Sequence, residues 1–419
     1  MELKAENVTE YLRSTGRLPA EGKGEVLVQA LSGQEGPARS TVLKVFDPEA
    51  GAKVGSDVRS PAQIKAGKPD TRMSEGVCLL VKQPLEGARQ EKADEAEEED
   101  PWALSKPTES PESSEARFAV GLARVRAEKS CMELLSNLLP EGSVPANCWV
   151  DEDECILGTD CAPASAISWK KQLSNGITTG AVATHAGMLL AMLHSSTKKD
   201  PAVRERFGDA KLFSQARLEP GILSAGPKNP DVIKMLQDAV FRARTPLCLL
   251  HGDFVPANIL LVPEPGSEEA ANAASAASAA GSSTGGKGFE LASLMLVDYD
   301  AAYFGHAAFD VASLISELLL GGFMRSGKWR AMMMLADNFW QTYRHTADPD
   351  LVRGAEVAGG RIMGALMLGR VDGARPLQGL ADRRGAGERI RKLAGEILKK
   401  STISLDEAID AASMHYDTD

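Results

Sequence analysis

Two short acidic motifs lie in the middle of the chain, each directly after an apolar run. The first, from His251 to Leu260, reads His-Gly-Asp-Phe-Val-Pro-Ala-Asn-Ile-Leu. The second, from Leu296 to Asp300, reads Leu-Val-Asp-Tyr-Asp. Apolar runs that end in acidic residues are typical of buried strands that present carboxylates at their ends. The two motifs therefore predict oxygen-bearing side chains held at the ends of core strands.

These residue types suit phosphoryl transfer to a hydroxyl group. Asp253, at the start of a loop, can accept a hydroxyl proton and orient the attacking oxygen. Asn258, five positions later, can ligate a divalent cation, and Asp298 and Asp300 can hold metal ions that bridge phosphate oxygens. The sequence thus predicts Asp253 as the catalytic residue and Asn258, Asp298 and Asp300 as ligands of Mg²⁺.

A low-complexity stretch separates the two motifs. Asn258 and Asp298 are 40 positions apart, which is too far for a simple hairpin, but residues 263–288 are rich in Ala, Ser, Gly and Glu. We interpret 263–288 as a disordered insertion at a hairpin tip. Its segment Gly281–Gly288 imitates a phosphate-binding glycine loop, but it has no strand before it and ends in Gly instead of Ser or Thr.

The motifs His-Gly-Asp-x-x-x-x-Asn and Val-Asp-x-Asp resemble those of the aminoglycoside phosphotransferase and choline kinase superfamily, whose members are protein-kinase-like enzymes. Within it, the chain is most similar to the methylthioribose kinases. The resemblance implies an α+β, two-lobed protein-kinase-like fold with a small antiparallel-sheet N-lobe and a larger, mainly helical C-lobe. It places the nucleotide-binding N-lobe at residues 1–157, a hinge at 158–163, and the catalytic and substrate-binding C-lobe at 164–419.

The same resemblance implies ATP and Mg²⁺ as cofactors and a small hydroxylated molecule as the acceptor. The preferred acceptor is 5-methylthioribose, phosphorylated in methionine salvage. Another sugar, a choline-like alcohol or an aminoglycoside is the alternative within the kinases. A non-catalytic pseudokinase that acts as a binding module is the alternative outside them, although the complete set of Asp253, Asn258 and Asp298 speaks against it.

The nucleotide phosphates need a cation, and Lys82 is the first candidate. It ends the apolar strand Gly76–Gln83, and it resembles the strand lysine that grips the ATP phosphates in methylthioribose kinases. Glu128, on the helix predicted over 116–139, would position it through an ion pair. The alternatives are an edge lysine that reaches water, a solvated Glu128, and Lys44 as the phosphate ligand instead.

Further expectations concern the loops and the anchoring helix. Gly33 and Gly36 lie between two predicted strands and would form a nucleotide-covering loop, although an ordinary hairpin turn fits them equally well. The acidic segment 85–115 predicts a second disordered insertion. Asp310 is expected both to cap the helix that begins at residue 311 and to anchor the catalytic loop.

The substrate pocket departs from the methylthioribose kinases. Those enzymes have Ser where this chain has Asn258, and they carry Asp-Pro-Glu where Asp298-Tyr299-Asp300 stands here. They also have an adjacent Arg pair that meets the sugar, whereas the corresponding place here reads Ile-Met-Gly-Ala-Leu-Met from residue 362 to 367. Arg361 and Arg370 lie nearby, but neither matches the pair.

The composition of the chain limits which partners and which cellular location are expected. The chain has 419 residues and a formal net charge of −11, which disfavours nucleic acid and an anionic membrane as partners. No run reaches the roughly 20 apolar residues of a membrane span, and the acidic N-terminus lacks a signal-peptide core. The six cysteines show no metal-ligand spacing and are expected to be thiols of a cytoplasmic protein. A homodimer is left open.

Overall fold

The computed structural model describes two compact units. It covers residues 2–18, 26–31, 40–47, 77–84, 114–263, 291–325, 327–380, 383 and 385–416. Residues 1–129 and 146–161 form the first unit, and residues 130–145 and 162–419 form the second. The α+β class predicted from the sequence is confirmed, because the first unit is built on an antiparallel sheet and the second is mainly helical. Gly33, Gly36 and nearly all of both predicted insertions lie outside the residues described.

The first unit is organised around a five-stranded antiparallel sheet in the order β1-β2-β3-β5-β4. Alternating apolar side chains such as Leu43, Val45, Leu79 and Val81 point into its core, which the short helix α1 covers through Val8 and Leu12. Its strands are β1 (Leu27–Ala30), β2 (Ser40–Asp47), β3 (Val77–Pro84), β4 (Trp149–Asp151) and β5 (Ile156–Asp160), and its helices are α1 (Val8–Ser14) and the first part of α2 (Ser114–Leu138).

Two cysteines of the first unit form a disulfide, so the expectation that all six are thiols was wrong. Cys78 in β3 is bonded to Cys161, which directly follows β5 and lies in the segment predicted as the hinge. The backbone N–H of Cys161 donates to the carbonyl oxygen of Cys78 over 3.0 Å, and the two Cα atoms lie 5.4 Å apart. Strand pairing brings these residues together across 83 positions, and no local cysteine spacing reveals it. Cys155 and Cys248 remain buried thiols.

Short antiparallel strands in the second unit carry the two acidic motifs. β8 (Ile259–Pro263) pairs with β9 (Leu291–Leu296) as the predicted hairpin, and β6 (Ile167–Ser168) adds to its edge. β7 (Cys248–Leu250) pairs with β10 (Tyr303–Gly305), and all six of these residues are buried. The loop 251–258 thus follows one buried strand, and the segment 297–302 connects two others.

Helices form the rest of the second unit. In the part of the chain that the structure describes, none of them is long and apolar enough to cross a membrane. They are α3 (Trp169–Ser174), α4 (Gly180–Ser196), α5 (Pro201–Phe207), α6 (Ala210–Phe213), α7 (Glu219–Gly221), α8 (Ile233–Ala243), α9 (Ala308–Met324), α10 (Trp329–Thr346), α11 (Pro349–Asp372), α12 (Ala386–Lys399) and α13 (Leu405–Ser413). The apolar helix α9 packs against α10 and α11 at the centre of the unit.

Candidate active site

The loop that carries Asp253 is fixed by a buried carboxylate of α9. Asp310 is fully buried, and its two oxygens accept hydrogen bonds from the backbone N–H groups of His251 (2.7 Å) and Gly252 (3.0 Å). The ring Nε2 of His194 lies 3.2 Å from the same carboxylate. Charge-assisted bonds to backbone donors are stronger than neutral ones. They hold the start of the loop against the core of the second unit.

This arrangement corrects one expectation about Asp310. It lies within the first turn of α9, and the helix begins at Ala308 without a side-chain cap. The predicted capping role is therefore wrong, because both carboxylate oxygens are used by the loop 251–252. The predicted anchoring contact is present. His194 extends this buried network, because its Nδ1 lies 2.9 Å from the hydroxyl oxygen of Tyr343.

Asn258 is oriented by hydrogen bonds to Asp253, the predicted catalytic residue. Its Nδ2 donates to the backbone oxygen of Asp253 over 3.0 Å and to the carboxylate Oδ2 over 2.9 Å. A short 3₁₀ turn, Pro256–Asn258, makes this return possible within five residues. Because the amide nitrogen faces Asp253, the amide oxygen is left for another partner.

Two backbone positions with positive φ shape the site. Gly252 has a φ of 80°, and a Cβ atom there would overlap the carbonyl oxygen of Ala301. Only glycine tolerates this close approach, which places the loop 251–258 against the segment that follows Asp298. Asp298 itself has a φ of 70°, an uncommon conformation for a residue with a side chain. Strained positions of this kind cluster at functional sites.

Arg217 is a site residue that sequence reasoning missed. It lies in a π-helical segment, Ser214–Leu218, and its Nη2 is 2.8 Å from Asp253 Oδ2 and 3.2 Å from Asp300 Oδ1. The side chain is 11% exposed, and its buried Nε has no hydrogen-bond partner among the residues described. No motif surrounds Arg217, so only the tertiary structure reveals that it joins the two acidic motifs.

The electrostatics of the loop favour a carboxyl group that binds its proton more tightly than usual. Burial raises the pKa of Asp253 above its ordinary value, and Asp298 and Asp300 raise it further, while Arg217 opposes them. Burial also lowers the pKa of His251, whose Nδ1 accepts from the backbone N–H of Asp253 over 3.3 Å. A base whose pKa lies nearer neutrality is better matched to proton transfer at physiological pH.

The first unit holds the predicted lysine and glutamate together. Lys82 Nζ lies 2.7 Å from Glu128 Oε2, and the two side chains are 10% and 5% exposed. Lys44, the rival candidate, lies on the neighbouring strand opposite Leu80, is half-buried, and has no ion pair with the residues that the structure describes. Burying an ammonium group is costly unless it is paired. The structure thus brings Lys82 and Glu128 together and leaves Lys44 apart.

The predicted metal ligands offer an oxygen-only donor set. Within the described ranges, no group of three or more His, Cys, Asp or Glu side chains is arranged to hold a metal. The backbone N–H of Val297 donates to the carbonyl oxygen of Asn258 over 3.0 Å, so the two motifs lie side by side. Two carboxylates and one amide oxygen fit Mg²⁺, which usually binds one or two carboxylates and takes its other ligands from phosphate and water.

Comparison with known proteins points to the same chemistry. Residues 116–267 match the model of a phosphotransferase enzyme family, designated APH. The matched segment contains Glu128 and the whole loop from His251 to Asn258, and it ends before Asp298. No curated protein matches the chain by sequence.

Several solved structures resemble the chain. An ethanolamine kinase from Plasmodium vivax has a TM-score of 0.43 at 11% identity, with 99% of this chain and 93% of that chain covered. A choline kinase from Streptococcus pneumoniae has a TM-score of 0.43 at 14% identity and covers 94% and 98%. An aminoglycoside phosphotransferase from Alicyclobacillus acidocaldarius has a TM-score of 0.38 at 10% identity and covers 96% of each chain. Likeness of this degree identifies no substrate.

Proposed function

We propose that the chain is an ATP-dependent kinase of a small hydroxylated molecule, and the match of residues 116–267 to the model of a phosphotransferase enzyme family supports this proposal. The hydroxyl oxygen of the acceptor would form a bond to the γ-phosphorus, and the bond from that phosphorus to the ADP oxygen would break. The hydroxyl proton would pass to the carboxylate of Asp253. Little covalent help is needed, so positioning and electrostatics would supply most of the rate enhancement.

The geometry of Asp253 is the observation that carries this proposal. Its carboxylate is aimed by Asn258 Nδ2 at 2.9 Å and by Arg217 at 2.8 Å, and its loop is tied to Asp310 by two backbone hydrogen bonds. A general base must be held firmly within reach of the proton that it accepts. Two fixed contacts on one carboxylate meet this requirement.

We assign the metal-binding role to Asn258, Asp298 and Asp300. The amide oxygen of Asn258 faces away from Asp253, and the two carboxylates belong to the segment beside it. When bound, Mg²⁺ would neutralise charge on the phosphate oxygens. Arg217 offsets part of the negative charge of Asp253 and Asp300.

In the first unit, we assign the nucleotide phosphates to Lys82, with Glu128 as its positioning residue. The 2.7 Å ion pair fixes the ammonium group at the end of a buried strand. Lys44 has no comparable partner in the described part of the unit, which favours Lys82 over it. Gly33 and Gly36 remain predictions for a nucleotide-covering loop.

The next question is which hydroxylated molecule is the acceptor. The resemblance favours 5-methylthioribose, but the structure gives Arg361 other partners. Its Nη1 lies 2.8 Å from Asp238, and its Nη2 donates to the carbonyl oxygens of Lys400 and Ser401. Arg370 pairs with Glu317 at 2.9 Å. Neither arginine reproduces the sugar-binding pair. Another sugar, a choline-like alcohol or an aminoglycoside is therefore kept as an alternative acceptor.

ADP release with Mg-ATP across a panel of acceptors tests the proposal. The panel contains methylthioribose, ribose, choline, homoserine and an aminoglycoside. We expect turnover of at least one member, and we expect Asp253→Asn to reduce it at least 100-fold while the circular dichroism spectrum is unchanged. Asp410→Asn, the same substitution at an exposed position, is the control and should keep full activity.

Two results would count against the kinase. Near wild-type turnover by Asp253→Asn would remove Asp253 from the mechanism. Metal-dependent ATP binding without turnover of any acceptor would instead favour a pseudokinase. Selective turnover of methylthioribose would support the methionine salvage role.

A further inference from the structure

A cavity of about 520 Å³ lies between α8 and α11 in the second unit. Its wall includes Phe241 and Val357, which are 72% and 62% exposed although both side chains are apolar. Pockets that bind small molecules have volumes of about 300–1,000 Å³ and combine apolar walls with a few polar groups. The cavity therefore has the size of a ligand pocket, and its apolar wall is open to a ligand.

His306 also lines this cavity and has a ring nitrogen that the fold leaves unused. Its Nδ1 accepts from the backbone N–H of Ala308 over 3.1 Å. Burial lowers the pKa of His306 to about 4, so the ring is neutral at physiological pH and carries its proton on Nε2. The residue is 9% exposed, and Nε2 has no hydrogen-bond partner among the residues described. A buried donor without a partner costs free energy, which a ligand that accepts from Nε2 would restore.

Gly354 on α11 leaves the edge of the His306 ring open. A Cβ atom at this glycine would lie 3.0 Å from Cε1 and 3.2 Å from Nε2 of the ring. These distances are shorter than ordinary contacts between carbon atoms, which lie near 3.5–4.0 Å. Because Gly354 lines the cavity as well, its missing side chain keeps free the space beside Nε2 that a ligand atom would occupy.

Arg242 on α8 supplies a second donor to the same cavity. Its Nε donates to Asp238 over 2.8 Å, and no described residue accepts from its two Nη groups. The backbone N–H of His306 donates to the carbonyl oxygen of Ala243, the residue after Arg242, over 3.1 Å, so the two donors lie close together. Asp238 also accepts from Arg361 over 2.8 Å, so two guanidinium groups share this one carboxylate.

The other acid of the cavity wall is shared in the same way. Asp350 lies 2.7 Å from Lys198 and 2.6 Å from Arg353. The negative charge of both acids is thus offset by paired cations, whereas Arg242 keeps donors for a further acceptor. Carboxylates form strong, charge-assisted hydrogen bonds with such donors. The charges of the wall therefore favour an anionic group over a cationic one.

The cavity and the catalytic loop lie at opposite ends of the strand pair β7–β10. Cys248 begins β7 and pairs with Gly305, the residue before His306. The catalytic loop starts at His251, at the other end of β7. Three strand residues separate these ends by about 10 Å. A molecule in the cavity is therefore not the phosphoryl acceptor that meets Asp253.

We infer that the cavity between α8 and α11 is a second ligand site, which binds a small apolar molecule that ends in a carboxylate. The carboxylate accepts from His306 Nε2 and from an Nη group of Arg242. The apolar body of the ligand lies against Phe241 and Val357. No step of phosphoryl transfer is involved, so the site goes beyond the proposed kinase activity and does not depend on it.

Isothermal titration calorimetry with 3-phenylpropionate and the full chain tests this site. Two analogues each remove half of the recognition, because 3-phenylpropanol lacks the negative charge and propionate lacks the ring. At constant ionic strength we expect 3-phenylpropionate to bind about tenfold more tightly than either analogue. Equal affinity for 3-phenylpropanol, or no saturable binding of 3-phenylpropionate, would overturn the site.

Two variants address the polar and the apolar part of the site separately. His306→Asn keeps a side-chain oxygen that can accept from Ala308 but removes Nε2, and it should weaken binding of 3-phenylpropionate about tenfold. Phe241→Ala changes a largely exposed side chain and should weaken binding about fivefold through lost apolar contact. Ile233→Ala, at the other end of α8, is the control and should bind like the wild type. Wild-type affinity in both folded site variants would contradict the proposed contacts.

Asp253→Asn separates this site from the proposed catalysis. It should bind 3-phenylpropionate with wild-type affinity, because the cavity does not involve the catalytic loop. Binding that persists without turnover of any acceptor would retain the site and reject the kinase. Light scattering tests the competing occupant: a dimer that Phe241→Ala dissociates would assign this wall to a second copy of the chain and overturn the ligand site.

Discussion

Replacing Asp310 by Asn tests whether one buried carboxylate positions the catalytic loop. Both carboxylate oxygens accept backbone hydrogen bonds, at 2.7 and 3.0 Å, and an amide has only one accepting oxygen. The substitution therefore removes one charge-assisted hydrogen bond, worth about 1.5–3 kcal/mol, and places a donor against a buried donor for about 1–3 kcal/mol more. We expect the free energy of unfolding to fall by about 2.5–6 kcal/mol, which a domain whose stability is about 10 kcal/mol survives.

The same change should reduce catalysis more than stability explains. Asp253 lies two positions after one anchor point and one position after the other, so a shift of the loop by about 1 Å would lower kcat on the order of 100-fold. We would measure urea unfolding and ADP release with the best acceptor of the panel, at a temperature where circular dichroism shows the variant folded. Asp372→Asn is a control at another buried carboxylate of the second unit, paired with Arg391 and Asn229. It should lose stability and keep kcat.

Three outcomes would count against the positioning role of Asp310. If folded Asp310→Asn keeps the kcat of the wild type, the anchor does not position Asp253. If the free energy of unfolding is unchanged, the two backbone hydrogen bonds contribute less to stability than charge-assisted hydrogen bonds usually do. An equal loss of kcat in Asp372→Asn would show a general effect of destabilisation instead.

Three further predictions address the loop, the phosphate-binding pair and the pH dependence. Gly252→Ala should abolish turnover because its Cβ atom would overlap a backbone carbonyl, whereas Gly327→Ala, with a similar φ of 73° and open space around it, should keep turnover. Glu128→Gln should lower the free energy of unfolding by about 3 kcal/mol and raise the KM of ATP, because Lys82 loses its buried counter-charge; an unchanged KM would contradict its positioning role. Burial lowers the pKa of His306 from 6.5 to about 4, so only the unfolded state takes up the proton between these values. Stability should be complete above pH 6.5 and fall by about 3 kcal/mol towards pH 4 in urea titrations, and a flat profile would contradict a buried neutral ring.

Much of the site could be predicted from the local spacing of residues in the sequence. Asp253 and Asn258 are five residues apart in one loop, so their contact follows from a single turn and from the apolar strand before it. The hairpin β8–β9 was predictable once the 26 residues 263–288 were set aside, because 14 of the 40 positions between Asn258 and Asp298 then remain, which suits a hairpin. The pairing of Lys82 with Glu128 spans 46 positions, and its prediction depended on the family resemblance rather than on any local pattern.

The sequence by itself thus determined the strands and helices, the order of the acidic motifs and the chemistry of their side chains, because these depend on periodicity and residue type over a few neighbours. Only the tertiary structure decided which distant groups meet. It placed Arg217 between Asp253 and Asp300, excluded Asp310 as the cap of its helix, and joined Cys78 to Cys161. Such contacts arise from the packing of whole elements, where many weak apolar contacts fix the geometry and no short stretch of sequence records the result.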